Sequence, residues 1–535
     1  MRATCGHPAA APETIGTMTA AAFVAGGPRL LVPVPLVRRS RTAERHRVRR
    51  LRRLTGGPVA AYRLAVSLVA PPLLVWLTVA LRLPSLRAPF MLSRDDGVYG
   101  ASIEAVKAGG VPYRDVFSSQ GPLFLPMARA AARLGGFIGP GPQADRMISL
   151  IAAVVTVLAV FALLRARGPL GAALVAVVVA ASPAFVTGTG ELLSEGPTIA
   201  LSVAALAVLL TGRRDRAPWW RVLSAGLLVG AAVATKVSFA VPVAAVVGVE
   251  LLGMRGRSWR APLGALAAAA VVVLSTLPYG WHRVVAQSVR FHLDAAQTAA
   301  GETPTDALGL LHELGTKERP LLALLVAGVA AGVLRLLSGR LGRTDRAELR
   351  LPVLALLWST TSVLLLLQTK PLFDHHALVL VVPLAVLGGS LRPAPVAGAA
   401  GVLTMLAIAR PVQPPAPVQP QGWAAGVAAV RAHVPAGTVL LSDETGVAWF
   451  AGRPTPPLLQ DASRVRLTDD PTALPEVRAA LRAPRTCAVL RWSGLFRTKH
   501  LQLPPTYVSV WQGPSGKQLL VRSDCLGLPA VTPDR

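Results

Sequence analysis

Ser93-Arg94-Asp95-Asp96-Gly97-Val98-Tyr99 sets two adjacent carboxylates directly after a largely apolar run at 64–83. A second polar motif, Val111-Pro112-Tyr113-Arg114-Asp115-Val116-Phe117, follows, and then Gln120-Gly121-Pro122-Leu123. Paired acids beside an apolar segment can supply a general base together with a cation or hydrogen-bond partner. Crowding two acids also raises the pKa of one, which suits a base. The competing reading is structural, with Asp95 or Asp96 capping a helix from Val98 to Ala108.

Outward from this stretch the chain is built of long Ala, Leu and Val runs. Of 535 residues, 52% are hydrophobic and only 15% charged, where a soluble protein carries about 25% charge. Mean hydropathy is +0.51. Membrane spans need roughly 17–25 apolar residues, and the candidates are 64–83, 146–164, 169–187, 197–211, 222–235, 238–253, 261–279, 320–337, 351–368, 376–391 and 395–410. The pair 222–235 and 238–253 meets at Lys236 and reads as a hairpin or a broken helix. Residues 122–138 are apolar but carry Arg129 and Arg133, and counting them as a span would invert every later loop. They read instead as a helix lying at the outer interface.

The net charge of +28 does not mark a nucleic-acid binder, because the arginines sit where the positive-inside rule wants them. Residues 1–62 hold Arg38, Arg39, Arg41, Arg45, Arg47, Arg49, Arg50, Arg52 and Arg53, and read as a disordered basic cytoplasmic tail, with Met18 a possible second start. Alternation from there puts Arg165–Arg167, Arg213–Arg221, Arg255–Arg260, Arg340–Arg350 and Arg392 inside. The outer linkers then gather Asp95, Asp96, Glu104, Arg114, Asp115, Glu191, Glu195, Lys236, Lys370, Asp374 and His375, with His376 opening the next span. A purely structural bundle has no need of acids and histidines collected on one face.

After the Pro-rich linker Pro411–Pro420, the C-terminal portion 412–535 reads as a small α/β domain. A helix is expected at Trp423–His433, strands at Thr438–Leu441 and Cys487–Trp492, and a hairpin from Val508–Trp511 and Gln518–Arg522. Cys487 and Cys525 share this portion, and an oxidising outer compartment permits a disulfide between them. The expected architecture is thus membrane all-α: about eleven transmembrane helices over 63–411, interfacial helices in the first outer loop, and an extracytoplasmic α/β domain.

The run from Asp95 through Leu123 resembles the first outer loop of the GT-C glycosyltransferases, and within them glycosyltransferase family 39, with the bacterial aminoarabinose transferases and protein O-mannosyltransferases. That family shows an Asp-Glu or Asp-Asp pair, a Tyr, Gly-x-Pro-Tyr-x-Asp, and a Pro-Pro or Lys-Pro step into an interfacial helix. Glu195, Thr235-Lys236 and Phe373-Asp374-His375-His376 extend the likeness over roughly residues 64–410. The resemblance implies transfer of a sugar from a polyprenyl-phosphate donor, with inversion, to an extracytoplasmic hydroxyl on a glycan, lipid or protein. Carried over, Asp95 is the general base and Asp96 orients Asp95 or the acceptor, or holds a cation. Tyr99, Tyr113, Arg114, Asp115, Gln120, Glu195, Lys236, Lys370, Asp374, His375 and His376 become candidate substrate ligands. No metal cluster is expected, although a divalent cation remains possible. One departure stands out: where aminoarabinose transferases have a lysine before the proline, this chain has Gly121.

A transporter or flippase of lipid-linked saccharides is the alternative. It fits less well, since transporters place ionisable groups near the midplane and show internal repeats. The Ala-, Arg- and Gly-rich composition points to a GC-rich genome and a bacterial plasma membrane. The C-terminal portion offers polar residues such as Asp443, Glu444, Asp461 and Arg464 but no catalytic constellation.

Overall fold

Long apolar runs with few breakers fold as helices because a helix satisfies its own backbone polar groups away from water. The computed structural model describes residues 40–211, 218–254, 259–298, 306–338, 346–391, 394–407, 418–463, 466–467, 470, 472–498 and 501–527. The chain divides into two compact units, 1–60 and 61–535, and apart from the start of the first helix everything below concerns the second. Most of the expected basic tail, and most of the arginine-rich linkers, lie outside the described residues. The first helix, α1, runs Ser40–Leu86, so helix begins within the stretch expected to be disordered. Its Arg, Leu and Ala residues are good helix formers and extend the apolar helix backward.

Each of the eleven apolar stretches carries a helix. They are α1, then α4 (Met147–Leu164), α5 (Pro169–Ala181), α6 (Glu195–Leu210), α7 (Trp219–Thr235) and α8 (Val237–Leu252). There follow α9 (Arg260–Thr276), α10 (Arg319–Leu337), α11 (Arg346–Gln368), α12 (Leu378–Ser390) and α13 (Ala394–Ala407). Among the described residues, Val59–Leu86, Pro142–Arg167, Arg260–Tyr279 and Glu348–Gln368 are long and apolar enough to cross a membrane, and six further apolar helices are shorter. The first loop carries α2 (Arg94–Lys107) and α3 (Phe124–Ala132), followed by short helical turns at Gly135–Phe137 and Pro142–Asp145. At 1.5 Å per residue the nine-residue α3 is about 13 Å long, too short to span, as its arginines suggested.

Small residues set the helix packing. A Cβ on Gly226 would stand 2.4 Å from the Gly264 carbonyl oxygen, and one on Gly328 the same distance from that of Gly388. Only glycine lets these backbones approach so closely, the usual device for joining helices in lipid. Where α5 ends at Ser182-Pro183, fully buried Arg82 bonds the Ala180 carbonyl at 3.1 Å and Thr189 Oγ1 at 2.6 Å. Glu318 takes the Ser182 hydroxyl at 2.9 Å and the Ala184 amide at 2.7 Å. The break is thereby paired rather than left raw.

The C-terminal portion opens with α14 (Trp423–His433) and holds a four-stranded sheet. Its strands are β1 (Val439–Ser442), β2 (Thr486–Arg491), β3 (Tyr507–Gln512) and β4 (Gln518–Arg522), in the order β1-β2-β4-β3. β1 pairs β2 in parallel, and β4 pairs both β2 and β3 antiparallel. Cys487, early in β2, is joined to Cys525, just beyond neighbouring β4. One small core is internal to this portion, around Leu459, Val477 and Phe496. The larger one is shared: Trp423, Val447, Trp449 and Leu490 pack with Met91, Val98, Ile103 and Phe124 of the first loop. The contact is close because α15 (Thr445–Ala451) meets α2 at two glycines, a Cβ on Gly97 falling 2.8 Å from Gly446 Cα.

Candidate active site

The adjacent acids part company at the start of α2. Ser93, in extended conformation, is the cap, its hydroxyl accepting the Asp96 amide at 3.2 Å. Neither acid caps the helix; both occupy its first turn, where negative charge suits the helix dipole. Successive helical residues diverge by about 100°, so the two carboxylates face different surroundings. Asp96 points inward and is fully buried. Arg146, also fully buried, holds it at 2.5 Å and 3.1 Å, and the Leu92 and Leu192 amides donate to it at 3.0 Å each. Arg146 further bonds the Phe90 carbonyl at 2.7 Å and that of Ala88 at 3.0 Å. Asp96 is therefore an internal anchor, sealed away from any acceptor, which corrects the orienting or cation-holding role expected for it.

Asp95 points the other way, with 37% of its side chain accessible. Its Oδ2 stands 3.9 Å from His375 Nε2. That imidazole lies 3.4 Å from Glu195 Oε1, His376 Nε2 is 3.7 Å from the same oxygen, and Lys236 Nζ is 2.5 Å from it. These side chains converge because each stands at or just before a helix start. Glu195 opens α6, Lys236 is the single extended residue between α7 and α8, and Asp374–Ala377 form a 3-10 turn leading into α12. Lys236 thus marks a broken pair of helices rather than a loop. The Phe373 amide donates to His376 Nδ1 at 3.3 Å, which leaves Nε2 to carry the proton facing Glu195.

Gln120 ties this cluster to the loop. Its Nε2 donates to the Tyr99 hydroxyl at 2.6 Å, and its Oε1 accepts from Ser194 Oγ at 2.7 Å, beside Glu195. The buried Tyr113 hydroxyl donates to the Gln120 carbonyl. His292 Nε2 donates to the Ser119 carbonyl at 2.8 Å. The next residue explains the family departure. Gly121 and Leu123 donate their amides to the Thr235 and Ala234 carbonyls at 3.0 Å and 2.9 Å, satisfying the end of α7. A Cβ at Gly121 would fall 2.3 Å from the Ala234 oxygen, so no lysine fits there. The lysine beside this step is Lys236, immediately after Thr235.

Other expected ligands stand apart. Arg114 and Asp115 pair with each other at 2.8 Å on the surface, and Asp115 also accepts the Val111 amide at 3.0 Å. The Arg114 hydrogen bond holds the Asp115 carboxyl down at about 2. Lys370, at a cis step into Pro371, and Asp374 are exposed. Sequence reading singled out neither Ser194 nor His292, and named Glu191, Glu444 and Asp461 only as polar residues of their segments; tertiary packing brings all five to the neighbourhood of the cluster.

Burial in the cleft raises the Asp95 carboxyl above the ordinary range, His375 opposing and Asp461 adding to the rise. Burial also pushes Glu191, whose charged neighbours include Asp96 and Asp95, up to about 7. Glu444, next to Arg94, Asp443 and Asp95, goes to about 7 for the same reason. Glu195, His375 and His376 present ligand atoms within 4.8 Å of one another and form a group able to hold a metal ion; the sequence offers the two histidines as phosphate or metal contacts, but no metal cluster was expected from it. Lys236 Nζ already sits 2.5 Å from Glu195 Oε1, so a cation there has a lysine to displace.

A family model described as dolichyl-phosphate-mannose-protein mannosyltransferase matches residues 119–282, the segment holding Gln120, Gly121, Glu195 and Lys236. Among solved structures, ArnT from Cupriavidus metallidurans bound to undecaprenyl phosphate is similar, with TM-score 0.58 and 13% identity over 84% of this chain and 97% of that one. Its apo state gives TM-score 0.58 and 12% identity over 87% and 98%. The apo oligosaccharyltransferase of Archaeoglobus fulgidus gives TM-score 0.50 and 14% identity over 88% and 75%. No curated protein matches the sequence. The chain thus shares its fold with ArnT, in line with the GT-C resemblance read from the Asp95–Leu123 loop.

Proposed function

We propose that the protein transfers a sugar from a polyprenyl-phosphate donor to an acceptor hydroxyl on the extracytoplasmic face of a bacterial plasma membrane. The observation that carries this reading is one geometry. A raised, partly exposed carboxyl, Asp95, stands 3.9 Å from His375 at the edge of the Glu195–Lys236–His375–His376 cluster. The similarity to ArnT, whose structure is bound to undecaprenyl phosphate, supports a donor of that chemical class.

In this reading Asp95 removes the acceptor proton as the acceptor oxygen attacks the anomeric carbon. The bond from that carbon to the phosphate oxygen breaks on the opposite face. Polyprenyl phosphate leaves with the electron pair, and the centre inverts. Lys236 carries three N–H donors and uses one on Glu195, so the others are available to the phosphate as its charge grows. Glu195 fixes where that cation stands, and His375 links it to the base. No divalent ion is required by this charge arrangement, since the lysine supplies the positive charge.

The test is to give purified protein a panel of radiolabelled polyprenyl-phosphate sugars and compare wild type with Asp95→Asn. The variant is expected to keep its size-exclusion profile and lose transfer. Transfer by Asp95→Asn at the parent rate removes Asp95 as the base.

A further inference from the structure

Gly280, at φ 81, ends the α9 segment and turns the chain into a further helix at 281–298, made of Trp281–Val285, a π turn at Ala286–Arg290 and Phe291–Thr298. Glycine takes that backbone conformation without steric cost. One face of the helix packs inward. Val284 and Ala295 are buried, and Gln287 and Phe291 lie between them at helical spacing. The Gln287 side chain accepts the Ser118 amide at 3.0 Å and donates to the Tyr113 carbonyl at 2.9 Å. Phe291 meets Phe117 edge to face, with ring centres 5.4 Å apart. The helix therefore grips the stretch of first loop that leads into Gln120.

The rest of the helix surface is uncovered. Trp281 and Leu293 are 58% and 59% accessible, and Val289, Arg283 and Arg290 are exposed with them. Water is a poor partner for the tryptophan and leucine, and hydrocarbon is a poor partner for the arginines. A helix that shows both suits the headgroup layer, where apolar side chains reach the acyl boundary and arginines meet phosphates. The covalent neighbour sets the depth. Arg260–Tyr279 is long and apolar enough to cross a membrane, and its Leu266, Leu274 and Leu277 are each about two-thirds exposed. Trp281 follows that segment by two residues, so the exposed apolar surface continues onto this helix where the span stops. Its charge is also complementary to an anionic surface, with Arg283 and Arg290 against one acid, Asp294.

We propose that the 281–298 helix is a lipid-surface anchor, with Trp281, Val289 and Leu293 in the acyl boundary and Arg283 and Arg290 on the phosphates of anionic phospholipids, and that the seated helix holds the loop before Gln120 in place. The lipid contact rests on α9 being a membrane span, and the coupling to the site rests on the transferase reading above. The path inward is short. Gln287 holds Ser118, and Gln120 two residues on bonds Ser194 beside Glu195. A helix lifted from the bilayer loosens its grip on Tyr113 and Ser118, and with it the placing of Gln120 against the cluster.

The experiment uses the full-length protein with Cys5→Ser, which leaves only the joined Cys487 and Cys525, and adds Leu293→Cys as a label site. The thiol carries a nitrobenzoxadiazole fluorophore, and the protein is reconstituted into vesicles of phosphatidylcholine, alone or mixed equally with phosphatidylglycerol. Doxyl-labelled lipid quenches a fluorophore at the acyl boundary. Gln512→Cys, exposed on β3, is the water-facing control. Strong quenching is expected at 293 and little at 512. Quenching at 293 is expected to increase with phosphatidylglycerol, and that increase to vanish in Arg283→Gln with Arg290→Gln. Transfer by the parent is expected to run roughly fivefold faster in the mixed vesicles. Gln287→Leu, which cuts the helix from the loop, is expected to keep the quenching and lose the rate difference; Phe291→Ala replaces it where it aggregates or is inactive. A label at 293 that lipid does not quench, as under a protein partner, or quenching indifferent to phosphatidylglycerol, overturns the lipid contact. A rate difference that survives uncoupling overturns the link to the site. Quenching as expected with no sugar transfer in either vesicle leaves the anchor standing and removes the transferase reading instead.

Discussion

His375 Nε2 lies 3.9 Å from Asp95 Oδ2 and 3.4 Å from Glu195 Oε1. One imidazole thus stands between a loop carboxylate and the acid that fixes Lys236. Removing it disconnects the base from the cationic cluster without touching either end. His375→Ala is expected to lower kcat by roughly 10-fold to 100-fold, as loss of a positioning partner rather than of the base itself. His375→Gln should recover part of that. Steady-state rates for the two variants check it, and a kcat equal to wild type in His375→Ala would show that the bridge is idle.

Asp95 sets the pH response. Burial raises its carboxyl above the ordinary carboxylate range, and it works as a base only when ionised. Activity is therefore expected to fall on acidification through that raised pKa, with the acid limb lying above about 4. A kcat/KM profile against pH reads the limb directly. A limb at or below 4 contradicts the assignment.

Glu444 predicts a change in stability with the opposite slope. Its folded pKa of about 7 lies above the unfolded value, so the fold favours the protonated form. That contribution is complete below about pH 4.5 and is lost as pH rises through 7. Glu444→Gln, which cannot ionise, is expected to unfold at a higher temperature than wild type at pH 8, by roughly 1–3 kcal/mol, and to match it near pH 4.5. Thermal melts at the two pH values decide this, and equal melting at pH 8 counts against a buried acid there.

The Asp96–Arg146 pair predicts loss of fold rather than of chemistry. Removing one partner leaves a buried charge uncompensated, at about 3–5 kcal/mol. Arg146→Met is expected to reduce the folded yield sharply, and the double variant Asp96→Leu with Arg146→Met to recover part of it. Folded protein from Arg146→Met at wild-type yield would argue that the pair is dispensable.

Gly121 predicts a steric penalty. A methyl group there meets the Ala234 carbonyl at 2.3 Å, so Gly121→Ala is expected to destabilise by about 1–3 kcal/mol and to disturb Gln120 next to it. Comparison of its melting temperature with that of Gly136→Ala, where the added atom meets nothing within 4 Å, isolates the contact.

What could be read from the chain followed from periodicity and sidedness. The eleven apolar stretches became helices because their composition allows little else, and alternation of arginine-rich linkers put Glu195, Lys236 and His375 on a common face before any contact was known. The strands Cys487–Trp492 and Gln518–Arg522 were legible for the same reason, as short apolar runs between turn residues. Asp96 was misjudged because adjacency in sequence looks like adjacency in space, while the first turn of α2 sends the two acids to opposite sides. Glu191 and Glu444 were legible only as polar residues of their segments, and Thr445 not at all. The buried oxygens Glu191 Oε2, Glu444 Oε1 and Thr445 Oγ1 lack a hydrogen-bond partner among the described residues, and only packing between distant segments determines that. In the metal-capable trio, the adjacent His375 and His376 were visible in the sequence, but their meeting with Glu195, which opens a distant helix, was not.

The shared core of the first loop and the C-terminal portion also fixes an order of assembly. Asp95 leaves the ribosome before any of the later apolar helices, but Trp449, Gly446 and Leu490, against which its helix settles, are made only after all of them. Until those residues are made and folded, the loop helix has only part of its packing surface, the part supplied by Phe124, Ile148 and Leu192. A chain cut short after α13 would leave the rest of that apolar face uncovered.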